Sequence, residues 1–165
     1  MTPATRFKLM KQLERHEQGG KVALRPYRCP AGRLTIGWGH NFQDKPLIPD
    51  IAEFLKLNGC ITAIMADRQL DRDVMDAIDD AERLLPVWGE LDEVRQATVV
   101  NMVFNLGAGF ISPKSVAYWP RFNAALNRHD FLSAAFQMDR SKWHKQVGPR
   151  ADELILQTKT GEWKE

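Results

Sequence analysis

The feature that most constrains the fold is a stretch from Thr62 to Leu85 that contains neither glycine nor proline. Apolar side chains recur along it at the three- and four-residue spacing of one helix face. They are Leu70, Val74, Ala77, Ile78, Ala81 and Leu85. We expect this helix to connect two lobes of a single domain covering residues 1–165. The N-terminal lobe would span about residues 15–60, and a helical lobe would span about residues 86–165 and pack with a helix over 3–17.

The start of the chain predicts that first helix. Thr2 is a suitable N-cap and Pro3 suits the first helical position. Three apolar side chains then repeat every three residues and predict a buried face: Phe7, Met10 and Leu13. Gly19-Gly20 predicts the end of the helix, which places Glu17 in its last turn.

The remaining elements define the fold class. Between residues 24 and 40, a Cys29–Gly32 turn signal precedes a Leu34–Gly39 segment with strand-like alternation, which predicts a small β-hairpin sheet. Residues 94–106 are apolar nearly all round and predict a buried central helix. Further helices are expected at about 120–127, 130–138, 141–146 and 149–159. The predicted fold is α+β, mainly helical.

Composition limits the partners and the compartment. The net charge is only +2, and residues 61–93 carry 10 acidic against three basic side chains. The longest predicted helix is therefore acidic, which argues against nucleic-acid binding. Two cysteines are too few for a disulfide scaffold, and we find neither a signal peptide nor an 18-residue apolar run. We expect a soluble monomer of a reducing cytoplasm with no stable membrane insertion. Residue spacing indicates neither a metal nor a cofactor.

Glu17 is the candidate for acid chemistry. Hydrolysis of a glycosidic bond needs an acid that protonates the leaving oxygen and a group that directs water on the other face. The helix dipole disfavours a carboxylate at a helix C-terminus, so its presence there needs a reason. A surface glutamate without a role is the alternative at this point.

Several segments together resemble the phage-type lysozymes, the endolysins of glycoside hydrolase family 24. They follow the family's order along most of the chain: His16-Glu17, Tyr27–Gly32, Leu34–His40, Leu91–Arg95, Asn101–Gly107, Ser141–Trp143 and Pro149–Ala151. The stretch from Thr35 to His40 is the most specific of them. The resemblance implies a two-lobed lysozyme-like fold and places the family's general acid at Glu17.

The resemblance also implies roles for two hairpin residues. Thr35 falls where the family has the threonine that helps hold the attacking water. Cys29 falls where the best-known members have an aspartate, and it follows Glu17 by three more residues than usual. A nearby carboxylate would raise the pKa of Cys29, so we expect a mostly neutral thiol that positions water weakly. A thiolate nucleophile and a cysteine without a role stay open.

Other positions follow from the same resemblance. The positions that fall near the family's substrate contacts are Asn41, Phe104, Asn105, Ser115 and Gln137. His40 and Asp73 align with a structural histidine–aspartate pair, and Arg150 aligns with an arginine that pairs with the catalytic glutamate across the cleft.

The implied activity is that of a muramidase. It would hydrolyse the bond between N-acetylmuramic acid and N-acetylglucosamine in peptidoglycan glycan strands, with inversion. The alternatives are a lytic transglycosylase and a non-catalytic peptidoglycan-binding module, since the aspartate is missing. The resemblance further implies a host cytoplasmic location until a partner holin releases the protein to the cell wall.

Overall fold

The computed structural model describes residues 1–164, and these residues form a mainly helical α+β fold. The helices are α1 (Pro3–His16), α2 (Pro49–Asn58), α3 (Ala63–Leu84), α4 (Glu93–Leu106), α5 (Pro120–Leu126), α6 (Phe131–Asp139), α7 (Lys142–Val147) and α8 (Pro149–Thr160). The strands are β1 (Ala23–Arg28), β2 (Leu34–Gly37) and β3 (His40–Asn41). The predicted long helix, small sheet and helical C-terminal region are confirmed.

Two compact units divide the chain. The first, Phe7–Met75, contains the antiparallel sheet in the order β1-β2-β3. Its core consists of buried aliphatic side chains from β2, α2, α3 and the segments between them. They are Ile36, Leu47, Ile51, Ile61 and Ala66. The sheet and the first half of α3 therefore share one apolar core, which fixes the strands that carry the candidate site.

The second unit comprises Met1–Arg6 and the described residues from Asp76 onward. Helix α4 is its centre, and every side chain from Gln96 to Val103 is buried. Helix α8 packs against both α4 and α6. Four aromatic rings pack edge-on or tilted beside these helices, with centroids 5.6 to 6.3 Å apart. They belong to Phe110, Trp119, Phe122 and Trp143.

Helix α1 begins as predicted and differs in its buried face. The Thr2 hydroxyl accepts a hydrogen bond from the Thr5 amide, as an N-cap should. Phe7 was expected on the buried face, but its side chain is 61% exposed. Leu13 is buried as expected, Met10 is half-buried, and the other buried positions are Thr5, Leu9 and Gln12. Two of these are polar, so a pattern of apolar side chains alone identifies only part of the buried face.

A histidine links three helices of the second unit. In α7, His144 donates from Nδ1 to the Asp139 carbonyl oxygen and from Nε2 to the Asp152 carboxylate, both at 2.8 Å. A ring that donates from both nitrogens is protonated. The Asp139 carbonyl and then the Asp152 carboxylate therefore raise the pKa of His144 above its usual value.

This raised pKa predicts a pH-dependent stability. His144 should stabilise the fold fully below the pKa of an unfolded histidine, about 6.5, and lose that contribution as the pH rises through its folded pKa. We expect a His144→Gln variant to unfold at a lower temperature than the wild type at about pH 5.5, with the gap closing as the pH rises through the folded pKa of His144. Thermal unfolding across that range measures it. Asp152→Asn should show the same trend, and a gap independent of pH would contradict the assignment.

Candidate active site

Three side chains form a row across one face of the sheet. Thr35 on β2 pairs with Tyr27 on β1 and with Asn41 on β3. Directly opposed residues of antiparallel strands point to the same face, so these side chains are neighbours. The alternate positions, Ile36 and His40, pair with each other and are buried on the other face. The sheet thus presents one polar face and one face directed into the core.

Cys29 lies directly after β1 in a tight turn. The Gly32 amide donates to the Cys29 carbonyl oxygen at 2.7 Å, and the Cys29 amide donates to the Arg33 carbonyl oxygen at 3.0 Å. The Thr35 hydroxyl donates to the same Arg33 oxygen at 3.0 Å, and it lies close enough to the Cys29 sulfur to lower the pKa of the thiol. The turn therefore holds the thiol of Cys29 against the hydroxyl of Thr35.

These contacts change the acidity of the thiol. Partial burial raises the pKa of Cys29, but the backbone amides of Arg33 and Ala31, the Thr35 hydroxyl and the Arg33 charge favour the thiolate more strongly. The net pKa lies below the usual value for cysteine. The sequence-based expectation of a raised pKa is therefore wrong, because it ignored donors within the turn. A larger fraction of Cys29 is therefore present as the thiolate at neutral pH than of an ordinary cysteine.

Glu17 lies one residue beyond the end of α1, a correction to its predicted place in the last turn. Its amide still donates to the Leu13 carbonyl oxygen at 3.0 Å, so it continues the helical hydrogen bonding. The next residue, Gln18, and the two glycines after it all have positive φ and turn the chain towards β1. The carboxyl group is half-buried and touches the backbone of Gly39, between β2 and β3.

Tyr27 belongs to the same group of side chains. Its hydroxyl shares a hydrogen bond with the Gln18 side chain. Burial, and secondly the negative charges of Glu17 and Cys29, raise the pKa of Tyr27 against the effect of that hydrogen bond. The phenol is therefore neutral at physiological pH and lies within electrostatic reach of both ionisable groups. The unit Phe7–Met75 thus brings Glu17, Cys29 and Thr35 together around the hairpin.

Hydrogen bonds connect the core-facing side of β3 to α3. His40 Nδ1 contacts the Asp73 carboxylate at 2.8 Å, and its Nε2 contacts the Lys45 carbonyl oxygen at 3.1 Å. Gln69 donates to Asp73 at 3.1 Å and accepts from the Ile48 amide at 2.9 Å. The Asn41 side chain, on the other face, bonds to Asp44 and closes the loop that follows. The buried His40–Asp73 pair therefore fixes the strand beside Gly39.

The other sequence-predicted residues belong to the second unit. Arg150, in the first turn of α8, is buried and donates to the Asn101 side chain at 2.8 and 3.0 Å. One turn later on α4, exposed Asn105 accepts from the indole of Trp143 at 2.7 Å. The half-buried members of the set are Phe104, Ser115 and Gln137. The pairing of Arg150 with Glu17 stays a prediction.

Sequence reasoning missed Tyr27 and Gly39 as members of this site. Tyr27 was visible within the matched Tyr27–Gly32 segment, and strand alternation from Cys29 places it on the same face. Gly39 has no functional group by which the sequence could mark it as a site residue, because what it contributes to the site is the space left by the absence of a side chain. Among residues 1–164, no group of three or more His, Cys, Asp or Glu side chains is arranged to hold a metal ion. In the same residues, every helix is too short or too polar to span a bilayer.

A carboxyl group, an acidified thiol and a hydroxyl thus lie around one helix end and the hairpin that follows it. The chain belongs to the phage lysozyme family, which matches residues 17–159. As a member of this family, the protein is a muramidase-like lysozyme and therefore a glycoside hydrolase.

Three proteins are similar to this chain over more than nine tenths of its length. The probable T4-type lysozyme 2 of Dictyostelium discoideum is 25% identical over 94% of this chain and 96% of its own length. The probable T4-type lysozyme 1 of the same organism is 23% identical over 92% and 94%. The pre-baseplate central spike protein Gp5 of Enterobacteria phage T4 is 27% identical over 92% of this chain but only 28% of its own length.

Proposed function

We propose that the protein is a muramidase that hydrolyses the β-1,4 bond between N-acetylmuramic acid and N-acetylglucosamine in bacterial peptidoglycan. The observation that carries this proposal is the grouping of Glu17, Cys29 and Thr35 in one unit of a phage lysozyme family member. A carboxyl group and a proton acceptor are the minimum that glycoside hydrolysis requires.

In the proposed reaction, Glu17 donates its proton to the oxygen that links the two sugars, and the bond from that oxygen to the anomeric carbon breaks. A water held by Cys29 and Thr35 forms the new bond on the opposite face, which inverts the anomeric centre. The proton lost by this water passes to the Cys29 sulfur. The lowered pKa of Cys29 supports the acceptor role, because a larger fraction of the thiol is ionised at neutral pH.

The binding residues are proposed by alignment with the family. We assign contacts with the glycan to Asn41, Phe104, Asn105, Ser115 and Gln137, and an orienting role to Arg150. Exposed or half-buried side chains suit such contacts, and all five binding residues are of this kind. Arg150 is buried and held by Asn101, which suits a residue that orients others and does not itself bind sugar.

The biological role follows from the activity. We propose an endolysin that acts in host cell lysis as a monomer. It would remain in the host cytoplasm until a holin releases it to the periplasm and the cell wall. Peptidoglycan glycan strands are its proposed partner.

The products of peptidoglycan digestion test the reaction. Purified peptidoglycan is incubated with the protein, and the released fragments are analysed by mass spectrometry. Reducing N-acetylmuramic acid ends are expected. Anhydro-muropeptides would instead indicate a lytic transglycosylase, which the missing aspartate favours because such an enzyme needs no water-activating base. Binding to the wall without any released fragment would indicate a peptidoglycan-binding module.

The role of the thiol has its own test. We expect Cys29→Ala to lower the initial rate of peptidoglycan digestion by about 100-fold, at the low end of base catalysis. Cys29→Asp is expected to match or exceed the wild type, because a carboxylate is fully ionised at neutral pH. Cys60→Ala is the matched control, since Cys60 is the other free and half-buried cysteine. Full activity in Cys29→Ala would make the thiol a bystander.

A further inference from the structure

The contact between Glu17 and Gly39 is unusually close. A Cβ atom built on Gly39 would lie 2.7 Å from Glu17 Oε2, 2.9 Å from Cδ and 3.4 Å from Cγ. Ordinary van der Waals contacts of a Cβ atom begin at 3.4 Å. The carboxyl group therefore occupies space that any other residue at position 39 would fill. Gly39 also has a φ of +87°, a conformation that side chains disfavour.

We infer that Gly39 is a positioning residue for the proposed reaction, because its bare backbone forms the surface on which the Glu17 carboxyl group rests. The inference rests on the proposed function of Glu17 as the acid. Gly39 itself transfers no proton. Its effect is to let the carboxyl group lie flat against the turn that joins β2 and β3.

The surroundings of Gly39 hold that surface in place. The residue that follows it, His40, is buried and bonded to Asp73, while Ile36 on the paired strand is fully buried. These buried neighbours therefore restrain the Gly39 backbone from moving away from Glu17. By contrast, the Glu17 carboxyl group is the far end of a flexible side chain. An added methyl group at position 39 should move the carboxyl group by about 0.7 Å or more and leave the backbone in place.

A displacement of this size affects rate more than stability. Misplacement of a catalytic group by about 1 Å costs about 100-fold in rate. We therefore expect Gly39→Ala to lower kcat on soluble peptidoglycan fragments by about 100-fold, with KM changed by less than about twofold. A purely structural defect would lower the amount of folded enzyme and shift the melting temperature in proportion.

Gly59→Ala is the matched control. Gly59, at the end of α2, has a similar positive φ of +67°, but an added Cβ would meet only the Arg25 guanidinium, at 4.0 Å. Both variants place alanine at a positive φ, so each should lose some thermal stability, and kcat is compared per folded enzyme below both melting temperatures. Only Gly39→Ala should lose kcat.

Coupling to Glu17 separates positioning from a general defect. In Glu17→Asp the carboxyl group is drawn back by one methylene, so the methyl group of Gly39→Ala has less to displace. The double variant should lose much less kcat than the product of the two single losses. Gly59→Ala combined with Glu17→Asp should show no such coupling.

An NMR measurement keeps this inference separate from the proposed function. The ¹³C resonance of the Glu17 carboxyl carbon, assigned by its loss in Glu17→Gln, should shift in Gly39→Ala and stay unchanged in Gly59→Ala. Wild-type kcat in Gly39→Ala, equal kcat losses in both glycine variants, or an unmoved carboxyl resonance would overturn the inference. An inactive wild type with a shifted resonance would retain the contact and remove the proposed function.

Discussion

Replacing Glu17 with glutamine should lower the rate of peptidoglycan digestion by at least about 10²-fold to 10⁴-fold, the contribution of a positioned general acid. Glutamine keeps the size and hydrogen-bonding reach of the side chain but carries no ionisable proton. The fold should be unharmed. The carboxylate lies just past the C-terminal end of α1, where the helix dipole disfavours negative charge. The melting temperature of Glu17→Gln should therefore equal or exceed that of the wild type.

Glu14→Gln is the control for this experiment. Glu14 lies in the last turn of the same helix and forms an ion pair with Lys11 at 2.7 Å. Its replacement removes the same charge from the same helix end but leaves the proposed acid in place. The rate of peptidoglycan digestion should therefore stay within about twofold of the wild-type rate. The free energy of unfolding should change by less than about 0.5 kcal/mol. Digestion of purified peptidoglycan and thermal unfolding measure both effects. A Glu17→Gln variant with wild-type digestion would remove the acid role altogether.

The largest expected loss of stability comes from Asp73→Ala. The side chains of His40 and Asp73 are only 4% and 9% exposed, and the carboxylate also accepts from Gln69. Removing one partner of a buried pair costs about 3–5 kcal/mol, because the other is left without compensation. For a chain of this size each kcal/mol corresponds to roughly 2–4 °C, so the melting temperature should fall by about 6–20 °C. Thermal and urea unfolding measure the loss.

Two further variants distinguish the buried pair from the helix that carries it. Asp79→Ala removes an exposed carboxylate from α3 and should change the free energy of unfolding by less than about 0.5 kcal/mol. The double variant His40→Leu with Asp73→Leu fills the site with apolar side chains and leaves no imidazole buried without its carboxylate, although the Gln69 amide loses its acceptor. It should therefore be more stable than Asp73→Ala, in which the imidazole and Gln69 both lose the carboxylate and a cavity remains. A loss below about 1 kcal/mol in Asp73→Ala would contradict the assigned energetic role.

Much of the fold was predictable because its strongest signals are local. The stretch without glycine or proline gave α3 within one residue at each end, and Leu70, Val74 and Ala81 are buried as their spacing indicated. The buried face of α1 was only partly predictable from apolar spacing. Thr5 bonds to the Glu93 carboxylate, a contact 88 residues away in the sequence. Such a polar position can be buried only because a distant partner satisfies it.

The chemistry of the candidate site was predictable in type and less so in detail. The order of the matched segments made Glu17, Cys29 and Thr35 the candidates, and their catalytic roles stay predictions. The acidity of the thiol depends on amide donors from Ala31 and Arg33, whose direction exists only once the turn is folded. The role of Gly39 depends on a through-space approach of a residue 22 positions earlier, and no local pattern encodes such an approach.

The alternation along β3 has a consequence for how this hairpin tolerates change. His40 faces the core and Asn41 faces the polar side, so the two functions of this strand are separated by a single step of the chain. A one-residue slip of β3 against β2 would exchange the two faces, exposing the imidazole and burying the amide. The buried contact of His40 with Asp73 therefore opposes such a slip and selects one register. A library of insertions in the turn before His40 should recover folded variants in which the turn is longer and Ile36 still pairs with His40.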